Sequence, residues 1–256
     1  MPISSTLLRR LSLLAGWVFP LCVDASGLSE LKDALARHTA STPFKAQVDA
    51  NTWNRNGEGK DAEERSGQVS VQLEENAQGM RIQFARDTLN HLAADEQAKQ
   101  KNVKAKTPTL HALNALNAGE LRSMANAGPD LARLLEKVEF KSERADTWNN
   151  QSARLLNFDL GLATMSEKDR KFVKKHEGSL DVWIAPDGTP LASRTHLNAS
   201  GRAYVVISLE ITTEEDLVYV ALGDRLLAAR KESHNIGAGA GDRGENRTIR
   251  TLQLLP

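Results

Sequence analysis

Apolar residues recur at every second position in three short segments, residues 44–51, 68–73 and 80–84. A period of two is typical of a β-strand with one face in the core and one face in solvent. The alternating apolar positions are Phe44, Ala46, Val48 and Ala50 in the first segment, Val69, Val71 and Leu73 in the second, and Met80, Ile82 and Phe84 in the third. Because polar stretches separate the segments, the pattern predicts a three-stranded antiparallel meander.

Helical spacing appears on both sides of this meander, in residues 28–39 and in a polar, Ala- and Leu-rich region at 87–140. Apolar residues three and four positions apart form one face of a helix. The positions with this spacing are Leu28, Leu31, Ala34 and Leu35 in the first segment, and Leu131, Leu134, Leu135 and Val138 in the second. The pattern predicts an N-terminal helix and a helical middle region.

Strand-type alternation returns after residue 150. The clearest hairpin is residues 179–197, where Leu180, Val182 and Ile184 alternate before a turn at 186–188. Further β-type runs follow at 203–213, 217–222, 226–233 and 248–254, and we find no internal repeat. The order predicts one α+β domain over residues 26–256, with a curved antiparallel sheet (an incomplete β-barrel) covered by helices.

The first 25 residues have the composition of a secretory signal peptide. Two arginines precede the apolar run of residues 11–23, and Ala25 provides the small residue before a cleavage site at Ser26. This run is too short to span a bilayer, which takes about 20 apolar residues. We therefore expect a periplasmic mature chain that is not an integral membrane protein.

Composition and motifs narrow the function further. The 33 basic residues balance the 33 acidic ones, so the net charge does not indicate nucleic-acid binding. Cys22 is the only cysteine, and the six histidines include no H-E-x-x-H motif, although His196 and His234 could face each other across strands. Neither G-x-S-x-G nor a phosphate-binding loop is present. We expect a non-enzymatic protein without a metal or cofactor.

The segment Gly239-Ala-Gly241-Asp-Arg-Gly244 has the G-x-G-x-x-G spacing of dinucleotide-binding loops. That function needs a following helix, a further strand and an acidic residue about 20 positions later. Only 12 residues follow Gly244, and they alternate as in a strand. We therefore expect no bound dinucleotide here, but a mobile glycine loop between two antiparallel strands.

Trp183 leaves two interpretations open. On a strand it lies on the face opposite Val182 and Ile184, so both faces of that strand carry apolar groups. One interpretation is a ligand groove on the second face of the sheet. The other is a sheet edge that the helical middle region packs against.

The order of these elements resembles the LolA/LolB-like group of periplasmic lipoprotein carriers. The resemblance spans roughly residues 28–256. The matching segments are the helix with Leu31-Lys-Asp-Ala-Leu35, the strand Phe44-Lys-Ala-Gln-Val48, the strands at 66–71 and 79–84, and the hairpin at 181–188. The resemblance implies an incomplete barrel with a helical lid around residues 87–140 and an apolar hollow that holds acyl chains.

We therefore expect a carrier of an amphiphile, either lipoprotein acyl chains or a free lipid, which would be held because burial contributes about 0.8 kcal/mol per methylene. The predicted lining is Val48, Val69, Val71, Ile82, Phe84, Leu131, Leu134, Leu135, Val182 and Ile184. If the hollow is filled, the same residues are core. One alternative is an envelope scaffold that contacts another protein through a sheet edge or the glycine loop. Another is a hydrolase whose site residues are scattered along the sequence.

Overall fold

The computed structural model describes residues 26–165, 167–203 and 207–256. The predicted signal peptide, residues 1–25, lies outside this range. The strands are β1 (Phe44–Asn56), β2 (Glu63–Asn76), β3 (Gly79–Gln83), β4 (Glu139–Trp148), β5 (Gln151–Asp159), β6 (Val173–Ile184), β7 (Pro190–Ala203), β8 (Ile207–Leu222), β9 (Arg225–Gly239) and β10 (Asp242–Leu254). The α-helices are α1 (Gly27–Arg37), α2 (Arg86–Lys101), α3 (Pro108–Leu113), α4 (Ala118–Ala125), α5 (Ala127–Leu135) and the short α6 (Glu167–Arg170).

The strands form one antiparallel sheet in the order β3-β2-β1-β10-β9-β8-β7-β6-β5-β4. Strands that are consecutive in sequence pair with each other, except for β3 and β4, which lie at opposite edges of the sheet. The first and last strands, β1 and β10, pair with each other. The helical region α2–α5 connects these edges, and the sheet is not closed into a barrel. The predicted α+β class and antiparallel sheet are confirmed.

The expected glycine loop is a tight hairpin. Strand β9 continues to Gly239 and β10 starts at Asp242, so Ala240 and Gly241 alone form the turn. Both have positive φ, 55° and 86°, as the second and third residues of a type I′ turn require. The predicted connection between two antiparallel strands is present, but most of its residues belong to β9 and β10, because β8 and β10 pair with both sides of β9 and satisfy its backbone hydrogen-bonding groups.

The helices share one hydrophobic core with strands from both halves of the sheet. This core combines side chains of α1, α3, α4 and α5 with side chains of β1, β2, β5, β6, β9 and β10. Contact is closest where α3 meets β2, because a Cβ added at Gly67 would lie 1.9 Å from the carbonyl oxygen of Pro108. Helices α4 and α5 pack against β9, and α1 packs against β5 and α5.

A buried arginine connects the first residues of β9 to the rest of the molecule. The β9–β10 pairing ends at Arg230 and Thr251, so the start of β9 does not pair with β10. There the Arg225 guanidinium donates to three carbonyl oxygens, those of Ala40 (2.6 Å), Thr42 (2.9 Å) and Ala125 (3.1 Å). These bonds join the α1–β1 connection and the end of α4 to the sheet.

Candidate functional site

The five predicted lining residues on β1, β2 and β6 lie in the packed core. They come from strands that are distant in sequence, and each is at most 4% exposed. These residues are Val48, Val69, Val71, Val182 and Ile184. The structure therefore brings them together as members of one hydrophobic cluster, and the strand positions are filled.

The two predicted residues from the third strand lie at the margin. Ile82, on β3, is half-buried and packs against the core cluster. Phe84 follows the end of β3 and is 37% exposed. The edge position explains both, because β3 pairs only with β2.

Helix α5 carries the remaining three predicted residues and has a cleft on each side. Leu131 and Leu134 line the cleft between α5 and the sheet, about 240 Å³, here called the sheet-side cleft. Leu135 lines the cleft between α5 and α1, about 360 Å³, here called the α1-side cleft. The three leucines thus border open space as well as core.

The α1-side cleft is small and largely apolar. Its residues are Lys32, Leu35, Ala36, Ala132, Leu135 and Glu136. Leu35 and Leu135 are buried, whereas Lys32 and Glu136 are exposed. A ligand in this cleft would therefore meet apolar side chains inside and charged ones outside.

The sheet-side cleft combines leucines with polar groups from three adjacent strands. Its residues are Ser123, Ala127, Asp130, Leu131, Leu134, Ser193, Thr195, Glu215, Leu217, Tyr219 and Lys231. The Lys231 ammonium lies 3.0 Å from the Glu215 carboxylate and 3.3 Å from that of Glu120 on α4. Burial opposes the charge of Lys231, but the two carboxylates outweigh this and raise its pKa.

A buried hydroxyl pair lies at the sheet side of this cleft. The hydroxyls of Ser193 and Tyr219 are 2.8 Å apart on neighbouring strands, and both residues are buried. Burial raises the pKa of Tyr219 far above its ordinary value, although the hydrogen bond with Ser193 opposes this. The phenol therefore stays protonated and acts as a hydrogen-bonding group.

Sequence reasoning missed the polar residues of the sheet-side cleft. Ser193, Glu215, Tyr219 and Lys231 lie on β7, β8 and β9, and cross-strand pairing brings them together. A β-bulge between the β8 residues Val218 and Tyr219 shifts the β8–β9 register, which a regular alternation does not reveal. The one available signal was Lys231, a charged residue inside the predicted β-type run 226–233.

Trp183 follows neither of the two expected interpretations. Its ring packs on Trp148 of β4, with ring centroids 5.1 Å apart, and its indole N–H donates to Asp146 at 3.1 Å. Its sheet neighbours Leu155 and Ala192 are buried beside it. The second face of β6 therefore carries a small apolar cluster of its own.

His196 and His234 lie on the same face of the sheet, on β7 and β9. Glu214 on β8 separates them and approaches both imidazoles, at 3.5 Å and 3.2 Å. Glu245 contacts the second nitrogen of His234 at 2.8 Å. Among the described residues, no three His, Cys, Asp or Glu side chains are arranged to bind a metal ion.

Comparisons with known proteins found no matching family model, no similar curated protein and no similar solved structure. None of the described helices is long and apolar enough to cross a membrane. The geometry on either side of α5 is therefore the basis for the functional argument.

Proposed function

We propose that the protein is a non-enzymatic, periplasmic binding protein for an amphiphile, either lipoprotein acyl chains or a free lipid. In this proposal residues 1–25 direct export. The sheet is a curved, incomplete barrel, and α5 is the movable part of its helical lid. The supporting observation is that α5, which carries Leu131, Leu134 and Leu135, has a cleft on each side.

Helix α5 has the properties of an element that can move. It has nine residues, and isolated helices shorter than about 12–15 residues are marginal in water. Tertiary contacts therefore hold it, chiefly the burial of Leu131 and Leu135. If α5 moves, Leu131 and Leu135 lose their apolar contacts with the protein. A ligand whose apolar surface contacts these leucines would offset the free energy that this loss costs.

The α1-side cleft is the proposed entry point for the apolar chain. Its volume of about 360 Å³ falls in the range of small-molecule sites, roughly 300–1,000 Å³. Each methylene removed from water contributes about 0.8 kcal/mol, so a partly inserted chain already binds appreciably. Lys32 and Glu136 remain outside, where a polar head group would lie.

The scaffold alternative has less support. Strand β4 is an edge strand whose outer side could pair with an extended peptide. However, its exposed residues include Glu139, Lys141, Glu143 and Arg144, and charged side chains on an edge discourage strand addition. The amphiphile site therefore has the stronger geometric argument.

Two measurements test the proposal. Lipid mass spectrometry of the purified mature chain should detect a stoichiometric amphiphile, and a fluorescent fatty acid should bind. Ala132→Trp fills the α1-side cleft and should weaken that binding by about tenfold or more, the loss of roughly two buried methylenes.

The matched control is Ala93→Trp, which adds the same side chain at an exposed position of α2. It should leave fatty-acid binding unchanged. A lipid-free protein that binds no fatty acid would instead favour the scaffold alternative. Equal losses in the two variants would place the ligand elsewhere.

A further inference from the structure

A larger cleft of about 460 Å³ lies away from α5, where β1 and β2 meet the α2–α3 region. We call it the Trp53 cleft. Its residues are Trp53, Glu64, Arg65, Ser66, Lys99, Ala105, Lys106, Thr107, Pro108, Leu110, His111 and Asn114. The combination of an indole ring with three permanent cations sets it apart from both clefts beside α5.

The charge of the Trp53 cleft is positive. Glu64 is its one carboxylate, and this carboxylate lies 3.8 Å from Arg55. Arg65 is paired with Glu63 at 3.2 Å. Lys99 and Lys106 take part in none of the ion pairs formed by the described residues, so their charges are available to a ligand.

One wall of the cleft contains an unused polar group. The Nε2 atom of His111 is buried and has no hydrogen-bond partner among the described residues. Burial, and then the positive charge of Arg65, lower the pKa of His111. Its imidazole is therefore neutral near pH 7 and adds no charge to the cleft.

The wall that carries His111 is firmly positioned. The buried Asp95 carboxylate accepts hydrogen bonds from the backbone N–H groups of Thr109 (2.8 Å) and Leu110 (3.0 Å) at the start of α3. On the other side, α3 lies directly on Gly67 of β2. A preformed wall reduces the ordering that binding requires.

We propose that the Trp53 cleft binds a small organic anion with a planar ring. The ring packs on Trp53, and the anionic group, a phosphate ester or a carboxylate, contacts Lys99, Lys106 and Arg65. Indole rings stack on planar groups, and guanidinium and ammonium groups are the usual partners of phosphate and carboxylate oxygens. This site is independent of the amphiphile site.

Calorimetric titration of the mature protein tests the proposal with four probes. Adenosine monophosphate and indole acetate combine a ring with a phosphate or a carboxylate, and at least one of them should bind. Adenosine has the ring alone and inorganic phosphate the charge alone. Adenosine and inorganic phosphate should each bind at least about tenfold more weakly than the tighter ring anion, because each lacks one set of contacts. The tighter ring anion identifies the preferred combination of ring and anionic group.

Two sets of variants locate the binding. Lys99→Gln with Lys106→Gln should weaken the ring anion about tenfold or more, whereas Lys101→Gln with Lys104→Gln removes the same charge beside the cleft and should have little effect. Trp53→Leu should weaken the ring anion and leave phosphate unchanged. Circular dichroism of each variant checks folding. Equal losses in the two double variants, or no binding of either ring anion at millimolar concentration, would overturn the proposal.

Discussion

A single buried hydrogen bond joins two strands in the wall of the sheet-side cleft. The hydroxyls of Ser193 and Tyr219 form this bond across β7 and β8, and their residues are only 4% and 7% exposed. A buried polar group that loses its partner costs more than the bond itself contributes, because water cannot replace the partner. The pair should therefore behave as a unit.

Tyr219→Phe should lower the free energy of unfolding by about 1–3 kcal/mol, because it leaves the Ser193 hydroxyl without a partner. Ser193→Ala should then cost clearly less in the Tyr219→Phe background than in the wild type. Urea unfolding of the four proteins measures this coupling. Additive effects would show that the two hydroxyls do not depend on each other.

At the scale of elements, two glycines distinguish how α3 and α5 are held. Gly67 lies against the carbonyl of Pro108 with no space for a Cβ, so α3 and β2 are in direct backbone contact. Gly128, near the start of α5, has ordinary space: an added Cβ would lie 3.5 Å from His38 and 3.7 Å from Leu226. There is therefore space for a methyl group at Gly128 of α5 but none at Gly67 beneath α3.

Gly128→Ala should stabilise the protein by about 0.4–1 kcal/mol, because alanine restricts the unfolded chain at a helical position with sufficient space. Gly67→Ala should destabilise it by about 1–3 kcal/mol or more, because the new methyl group overlaps the Pro108 carbonyl. Urea midpoints of the two variants check both signs. A destabilising Gly128→Ala would mean that α5 packs more tightly than its surroundings indicate.

At the scale of the whole molecule, Arg225 connects segments that are far apart in sequence. Its guanidinium bonds to the carbonyls of Ala40, Thr42 and Ala125, lies 3.3 Å from the Glu75 carboxylate, and lies over the Phe44 ring. The side chain is 2% exposed. It thus ties the ends of β1, β2 and α4 to the start of β9.

Arg225→Met should lower the free energy of unfolding by about 3–5 kcal/mol, because it leaves the Glu75 carboxylate and three carbonyl groups without their shared partner. Arg225→Lys should recover little of this loss, since an ammonium cannot reproduce the planar fork of the guanidinium. Chemical denaturation measures both variants. Full stability in Arg225→Lys would show that only the charge matters.

The periodic segments were predictable because burial acts on local spacing. The three alternating segments fall within β1, β2 and β3, except that Phe84 follows the end of β3, and the turn at Gly188 has the positive φ that its sequence indicates. Strand β4 was missed because most of its residues are exposed at the sheet edge, where no alternation is required. The predicted helical stripe includes Val138. The observed helix α5 ends earlier, at Leu135, and β4 begins at Glu139.

The amino-acid sequence by itself determined the strand and helix types and the antiparallel α+β class, because periods of two and 3.6 follow from backbone geometry. Only the tertiary structure decided that β10 pairs with β1, that most predicted lining residues fill the core, and that α5 is flanked by clefts. These features depend on which distant side chains meet and how completely their volumes fill the space, and local patterns do not carry that information.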